Sequence, residues 1–277
     1  MNIKVSVCII TYNHQDFIKD AIESSLNQKC NFPFEVIVIE DCSTDNTRKK
    51  IKEIEKKDNF RVFFREKNSG VMANYELAFK EARGEYIAFL DGDDMMLDGK
   101  LERQARELDK DSSLAICSHP LIYFNNKFNV MAKVPLLYKN NIRYNLYDLL
   151  VKGFVFSHSS KMFRKDSLPS IGIDQNTKNC TDYLLHMQNC LKGDILHLNI
   201  PLGMHRVHSS SLSQLNRKGS NLLKAYNDQL YAIEKISGEL EKSGNYLQYK
   251  EALKKARKRI KSWLVKSLIK SLIPRIK

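Results

Sequence analysis

The chain has 277 residues, 43% hydrophobic and 28% charged, which suits one large or two small globular domains and excludes a disordered chain or a fibre. A formal net charge of +13 raises nucleic acid as a partner, but residues 246–277 carry 11 Lys/Arg against one acid, Glu251, so the tail holds +10 and the body only +3. Six cysteines without a C-x-x-C pair, no signal-peptide pattern at the N-terminus and no apolar run of the roughly 18–20 residues that span a bilayer predict reduced thiols in a cytoplasmic protein.

Residues 3–10 (IKVSVCII) are β-branched and almost continuously apolar, which predicts a strand buried on both faces. Phe17, Ile18, Ala21, Ile22 and Leu26 then recur at helical spacing. Residues 34–39 (FEVIVI) predict a second strand, after which Ser43 is placed to cap a helix reaching residue 57. A third strand at 60–65, a helix at 71–82 with Gly84 near its end where positive φ is favoured, and a fourth strand at 85–90 follow. This alternation over the first 120 residues is the pattern of an open α/β sheet. Another strand is expected at 114–117, and periodicity weakens between about 125 and 179. A short helix at 182–191, a strand at 195–200, a polar Ser/His-rich loop at 205–214 and a helical region from about 222 onward complete the chain. The best boundary, near 215–219, separates a domain of residues 1–215 from a C-terminal helical extension of 216–277.

In open α/β sheets ligands bind beyond the carboxyl ends of the strands, where backbone groups and helix N-termini are free. The polar clusters of this chain stand there: Thr11-Tyr12-Asn13 after the first strand, Glu40-Asp41 after the second and Asp91-Gly92-Asp93-Asp94 after the fourth. Each alone also reads as turn chemistry, because Asn and Asp hydrogen-bond nearby backbone. Three carboxylates within four residues repel one another, and a hard cation such as Mg²⁺ or Mn²⁺ relieves that repulsion while bridging to substrate phosphates. The cluster therefore predicts a metal–diphosphate site. No G-x-G-x-x-G occurs, and Gly92 stands too far from Gly99-Lys100-Leu101 for a P-loop. His205-Arg206-Val207-His208 lacks the further ligands of a closed zinc site.

The blocks VSVCIITYN (5–13), EVIVIEDCSTDNT (35–47), NSGVMANYELAFKEARGEYIAFLDGDD (68–94) and MHRVHSSSLS (204–213), standing in this order, resemble family 2 glycosyltransferases of the GT-A fold. The resemblance covers about the first 215 residues. It implies an α/β architecture, a Rossmann-like open mixed sheet flanked by helices. It also implies a nucleoside-diphosphate sugar donor, usually UDP-linked, and inverting transfer to a hydroxyl of a glycan or lipid-linked acceptor in bacterial surface polysaccharide synthesis. Carried onto this sequence, Thr11, Tyr12 and Asn13 would lie along the nucleoside and Asp41 would bond the base. Asn74 would sit near the base or ribose, Asp91 would contact the ribose, and Asp93 would coordinate the divalent metal, with Asp94 supporting the loop. Glu40 stands where the family more commonly has Asp. His208 matches the histidine of a closing Tyr-Arg-x-His pattern that approaches the metal or diphosphate, with His205 in place of the aromatic. The catalytic base would be an acid opening a late helix. Asp182 occupies that place behind Thr181; Asp174 is the second candidate, and capping of the helix is the other reading of Asp182. His158-Ser159-Ser160 resembles a segment lining the acceptor side.

In the tail, Lys254, Lys255, Arg257, Lys258 and Arg259 precede an apolar series of Ile260, Leu264, Leu268 and Leu272, joined by Trp263, Val265, Ile269 and Ile273. A basic cluster followed by a broad apolar face suits a helix lying on an anionic membrane surface, which would hold residues 250–277, and with them the enzyme, peripherally on the inner face of the cell membrane. The same pattern fits a helix packed on the protein or on a second subunit. Aromatic residues do not interleave the basic ones, so nucleic acid is not expected. Two other readings are a sugar nucleotidyltransferase, which needs a Gly-rich loop where Thr11-Tyr12-Asn13-His14 stands, and a catalytically inactive, membrane-associated partner of the same fold, which has no use for the acidic ligands and Asp182.

Overall fold

A computed structural model of the chain describes residues 2–133, 140–153, 156–169, 174, 176, 177, 181–208 and 219–272. In chain order the elements of the first half are β1 (Val5–Thr11), α1 (Ile18–Leu26), β2 (Phe34–Glu40), α2 (Thr47–Lys52), β3 (Phe60–Phe64), α3 (Val71–Glu81), β4 (Tyr86–Asp91), β5 (Met95–Met96) and α4 (Lys100–Lys110). There follow β6 (Leu114–Ser118), β7 (Leu121–Phe124), β8 (Val130–Lys133), β9 (Ile142–Tyr144), α5 (Leu146–Lys152), β10 (Met162–Arg164), α6 (Thr181–Cys190), β11 (Asp194–His197), β12 (Gly203–Arg206), α7 (Gly219–Lys242) and α8 (Tyr246–Leu272).

All seven residues of β1 are buried, because parallel partners β2 and β4 flank it and helices cover both faces. The main sheet has the order β3-β2-β1-β4-β10-β6-β11-β9. Its first four strands are parallel, whereas β10 runs antiparallel to both β4 and β6, which makes the sheet mixed. Alternation along β1 divides the core into two layers. Val5, Val7 and Ile9 cluster with Ile18 and Ile22 of α1 and Leu101 and Leu108 of α4. Cys8 and Ile10 cluster with Tyr75 of α3, Leu184 of α6, Ile233 of α7 and Leu253 and Ile260 of α8, so the C-terminal helices complete the second layer.

Parallel pairing brings the carboxyl ends of β1, β2 and β4 to one rim, where Asp41 N donates to Thr11 O at 3.0 Å and Gly92 N to Ile10 O at 3.0 Å. A second sheet, β5-β12-β7-β8, stands beside it. Gly203 and Met204 of β12 pair with Met96 and Met95 of β5, and this carries residues 205–208 back to the acidic turn.

Several local expectations shift. The helix expected after Ser43 begins at Thr47, whose N–H is taken by Asp45 Oδ1 at 2.9 Å, and Ser43 Oγ instead accepts from Asn13 N at 3.0 Å. Gly84 is no left-handed cap: a Cβ there would lie 2.5 Å from Ser6 N, so glycine serves the close approach of two chain segments. The strand expected at 195–200 ends at His197, and His205 and Arg206, expected in a loop, belong to β12. Ile260, expected on the exposed apolar face of the tail, is fully buried with Ala252, Leu253 and Ala256, because the first half of α8 packs on α5 and α7. The boundary at 215–219 falls almost wholly outside the described residues, as do Ser209–Ser213 of the fourth sequence block and Ile273.

Candidate active site

The acidic turn after β4 is held against β1. A Cβ on Gly92 would lie 2.7 Å from both Cβ and Oγ1 of Thr11 and 2.8 Å from His14 Nδ1, so only glycine lets Asp91 and Asp93 flank this point of contact. Asp91, Asp93 and Asp94 bring carboxylate oxygens within 4.8 Å of one another, and all are largely buried. Burial, with the charges of Asp94 and Asp93, pushes the Asp91 carboxyl up to about 7. Burial acts in the same direction on Asp93, but the hydrogen bond from His208 and the nearby His14 outweigh it and hold Asp93 below its ordinary range. His208 Nε2 lies 2.8 Å from Asp93 Oδ2 and His14 Nε2 lies 4.0 Å from it.

Asp94 is spent on β12. Its Oδ1 accepts from Arg206 N at 2.9 Å and its Oδ2 bonds His205 Nδ1 at 3.1 Å. Burial opposes a charge on His205, yet the bond to Asp94 and the fields of Asp93 and Asp91 raise it to about 9. Arg206, 2% exposed, donates to Asp93 O at 3.0 Å and to Asp20 Oδ2 at 2.8 Å beneath the rings of Phe17, Phe124 and Phe128. These bonds fix the backbone of the acidic turn and leave Asp91, Asp93 and His208 as the groups that fit a divalent cation. The chemistry of the set suits it: carboxylates with one imidazole, whose Nε2 lies 2.8 Å from Asp93 Oδ2.

Around this turn, Thr11 is buried with its hydroxyl 3.2 Å from His14 Nδ1, whereas Tyr12 is 40% exposed. Asn13 adopts φ 57° and its Oδ1 accepts from Thr44 N at 2.8 Å, which ties the β1 and β2 loops together. Both oxygens of Asp41 are occupied by the backbone of the turn before α3, accepting from Ser69 N at 2.8 Å and Gly70 N at 3.0 Å. Glu40 reaches farther than Asp would, accepting from Ser43 N at 2.6 Å and pairing with Arg48 at 2.7 Å. Asn74 is buried in the first turn of α3, and its Oδ1 has no hydrogen-bond partner among the described residues.

Asp182 opens α6. It is not isolated: Lys161 Nζ lies 3.8 Å from its Oδ2. The short turn at 158–160 joins the two halves of the site. Ser159 Oγ accepts from Asp91 N at 3.0 Å and donates to Asp91 Oδ2 at 3.2 Å, and Lys161, two residues on, faces Asp182. Burial and the charges of both Asp91 and Asp182 raise the Tyr75 hydroxyl well above its usual range. Asp174 serves elsewhere, accepting from Tyr231 Oη at 2.8 Å and pairing with Lys235 at 3.3 Å on α7. Sequence reasoning missed His14, Lys161 and His186. Only His186 had a legible signal, since it follows Asp182 by four residues in a helix and so shares its face.

An open, mixed α/β sheet flanked by helices, with its carboxylates gathered beyond the strand ends, is the GT-A architecture. The chain belongs to glycosyl transferase family 2, whose model matches residues 6–172. Among solved structures it is similar to Staphylococcus aureus TarS 1–349 in complex with UDP-GlcNAc, with a TM-score of 0.66 and 22% identity over 85% of this chain and 67% of that one. An uncharacterized protein of Mycobacterium tuberculosis is 29% identical over 212 residues, 75% of this chain. The chain spans only 60% of the length of that relative. Bacillus subtilis TuaG, named for teichuronic acid biosynthesis, is 42% identical over 101 residues, 36% of this chain and 40% of its own.

Proposed function

We propose that the chain is an inverting transferase that moves a sugar from a UDP-sugar to a hydroxyl of a glycan or lipid-linked acceptor in the synthesis of a bacterial surface polysaccharide. The observation that carries this reading is the 158–161 segment, which has Asp91 hydrogen-bonded at Ser159 and Asp182 ion-paired at Lys161. Donor-side and base carboxylates thereby share one support. The UDP-GlcNAc bound to TarS and the name of TuaG favour the same donor and product classes.

In this reading Tyr12 offers its exposed ring to the nucleoside, with Thr11 and Asn13 shaping the loop beneath it. Asp41 contacts the base through lone pairs left by Ser69 and Gly70, and Asn74 Oδ1 supplies an acceptor that burial has left open. Asp93 and His208 hold the divalent cation, Mn²⁺ or Mg²⁺, with Asp91 at the ribose beside them. When bound, that ion neutralises the charge developing on the leaving diphosphate. Asp182 accepts the proton of the acceptor hydroxyl, whose oxygen attacks the anomeric carbon as the nucleotide leaves from the opposite face. A panel of UDP-sugars tests the proposal: with Mn²⁺ present, the purified chain is expected to release UDP from at least one of them, even by slow hydrolysis. Release from none, with UDP itself failing to bind, overturns it and favours a non-catalytic partner of the same fold.

The tail supports a peripheral membrane position in only part of its length. Among the described residues no helix is long and apolar enough to cross a membrane. The inner half of α8 is core, so the membrane face begins beyond Ile260, where Val265 and Ile269 are 55% and 52% exposed among Lys261 and Lys266. Deleting residues 250–277 would therefore open the core. The double variant V265S/I269S leaves the core intact and is expected to lose flotation with vesicles rich in phosphatidylglycerol; flotation equal to that of the natural chain would remove the membrane reading.

A further inference from the structure

Taking Asp182 as the base of the proposed reaction, we propose that Lys161 is its positioning residue: the buried amine fixes the direction of the Asp182 carboxylate. Lys161 is fully buried and directly precedes β10, in a place where packing alone would call for an apolar residue like its neighbours Met162 and Phe163. Burying an ammonium is costly unless it is paired. Its Nζ touches His186 Nε2, lies 3.8 Å from Asp182 Oδ2, and stands 5.8 Å from the ring centroids of both Phe156 and Phe163. Its backbone is pinned too, since Phe89 N donates to Lys161 O at 3.2 Å. The amine therefore has little freedom to swing away from Asp182.

The surroundings say what the charge is for. His158, Asp182 and His186 bring ligand atoms within 4.8 Å of one another, a spacing suited to a cation, and the Lys161 ammonium already stands beside two of the three. Burial pulls both His158 and His186 well below their ordinary range, so each is neutral, and His186 Nε2 accepts from the amine. The groups facing Lys161 are Asp182 and His186 on α6, Asp91 on β4, His158 on the preceding turn and Lys100 on α4, whose own Nζ donates to Ser159 O at 2.6 Å. Tyr75 of α3 faces the same two carboxylates. Burial draws Lys161 down to about 7 against the pull of Asp182 and Asp91. Held between His186 and the rings of Phe156 and Phe163, the amine fixes the direction in which the Asp182 carboxylate points.

Steady-state UDP release in the UDP-sugar panel tests this. In K161M kcat is expected to fall about tenfold or more while KM for the UDP-sugar is unchanged, and K161R is expected to recover part of the lost kcat. A merely structural lysine would not split kcat from KM in this way. Removing one partner of a buried pair is destabilising, so K161M is expected to melt at a lower temperature than the natural chain, and kcat and KM are compared at a temperature where both are folded. K161Q, neutral but able to donate to His186, carries the same expectation should the methionine variant fail to fold. An unchanged kcat in the folded variant, or a kcat and KM that change together, overturns the proposal. UDP release that persists in D182N would instead strike at the base assignment, and the two failures are thus told apart.

Discussion

Asp182→Asn is expected to lower sugar transfer by about 10²–10⁴-fold, the usual worth of a general base, while leaving UDP affinity unchanged. The separation follows from geometry. Asp182 stands on α6 against Lys161, whereas the groups assigned to the donor stand at the carboxyl ends of β1, β2 and β4, in the turns just beyond them, and in the first turn of α3. The substitution keeps shape and hydrogen-bonding capacity but removes the ability to accept a proton. Calorimetric titration with UDP and Mn²⁺, run beside transfer or hydrolysis assays, checks both halves. A variant that turns over at the natural rate would show that the proton goes elsewhere, and one that loses UDP binding would show that α6 reaches the donor.

The second large effect is expected at Asp93. Asp93→Ala removes the carboxylate that His208 and His14 face, and the Mn²⁺ dependence of UDP binding is expected to fall by at least about tenfold, the loss that even supporting residues of metal sites give. Proton and cation compete for this cluster, which sets the sign of a pH effect. Asp91, lifted to about 7 by burial, Asp94 and Asp93, is protonated below that value and charged above it. In the natural chain Mn²⁺-dependent UDP binding is therefore expected to strengthen as pH rises from about 6 to 8, whereas stability of the metal-free protein is expected to fall as pH rises from about 4, the unfolded carboxyl's value, to about 7 and to level off above it, because the buried carboxyl is driven to ionise. Removing Asp93 takes away one of the repelling charges, so the residual pH dependence moves to lower pH. Binding to D93A with an undiminished Mn²⁺ requirement would place the cation on other ligands.

The parts of the fold legible in the sequence are those set by local pattern. A strand with parallel partners on both edges and helices on both faces has no polar side, and that is why β1, β2 and β4 stand out as apolar runs ending in polar clusters. The middle of the chain resists because its strands are short, β9 and β10 having three residues each, too few for a period to show. The same limit hid β12 within a Ser/His-rich stretch, since its partner β5 has two residues and lies about 110 positions away. Side-chain roles divide likewise. The acidic turn and Asp182 could be picked out from their place in the chain, but whether an acid is free or already occupied depends on remote partners: Asp41 is held by Ser69 and Gly70, Asp94 by His205 and Arg206, Asp174 by Tyr231 and Lys235. Lys161 shows the limit most plainly. A lysine before three strand residues reads as a solvated end, and only the packing of Phe156, Phe163 and α6 makes it a buried cation.

The last helix is continuous through Tyr246–Leu272, and its inner half is keyed to the catalytic domain: Arg259 donates to Tyr183 Oη at 2.7 Å, next to Asp182, and fills the space where a Cβ on Gly153 would lie 2.4 Å from its Nη1. At 1.5 Å per residue, the stretch from Ile260 to Leu272 extends roughly 18 Å past the last buried turn. A flexible tether would only raise the local concentration of enzyme near whatever surface holds its end. A continuous helix also transmits direction, so on the proposed membrane reading a surface that grips it beyond Ile260 would set which way the acidic turn faces and how far from that surface an acceptor hydroxyl must stand to be reached.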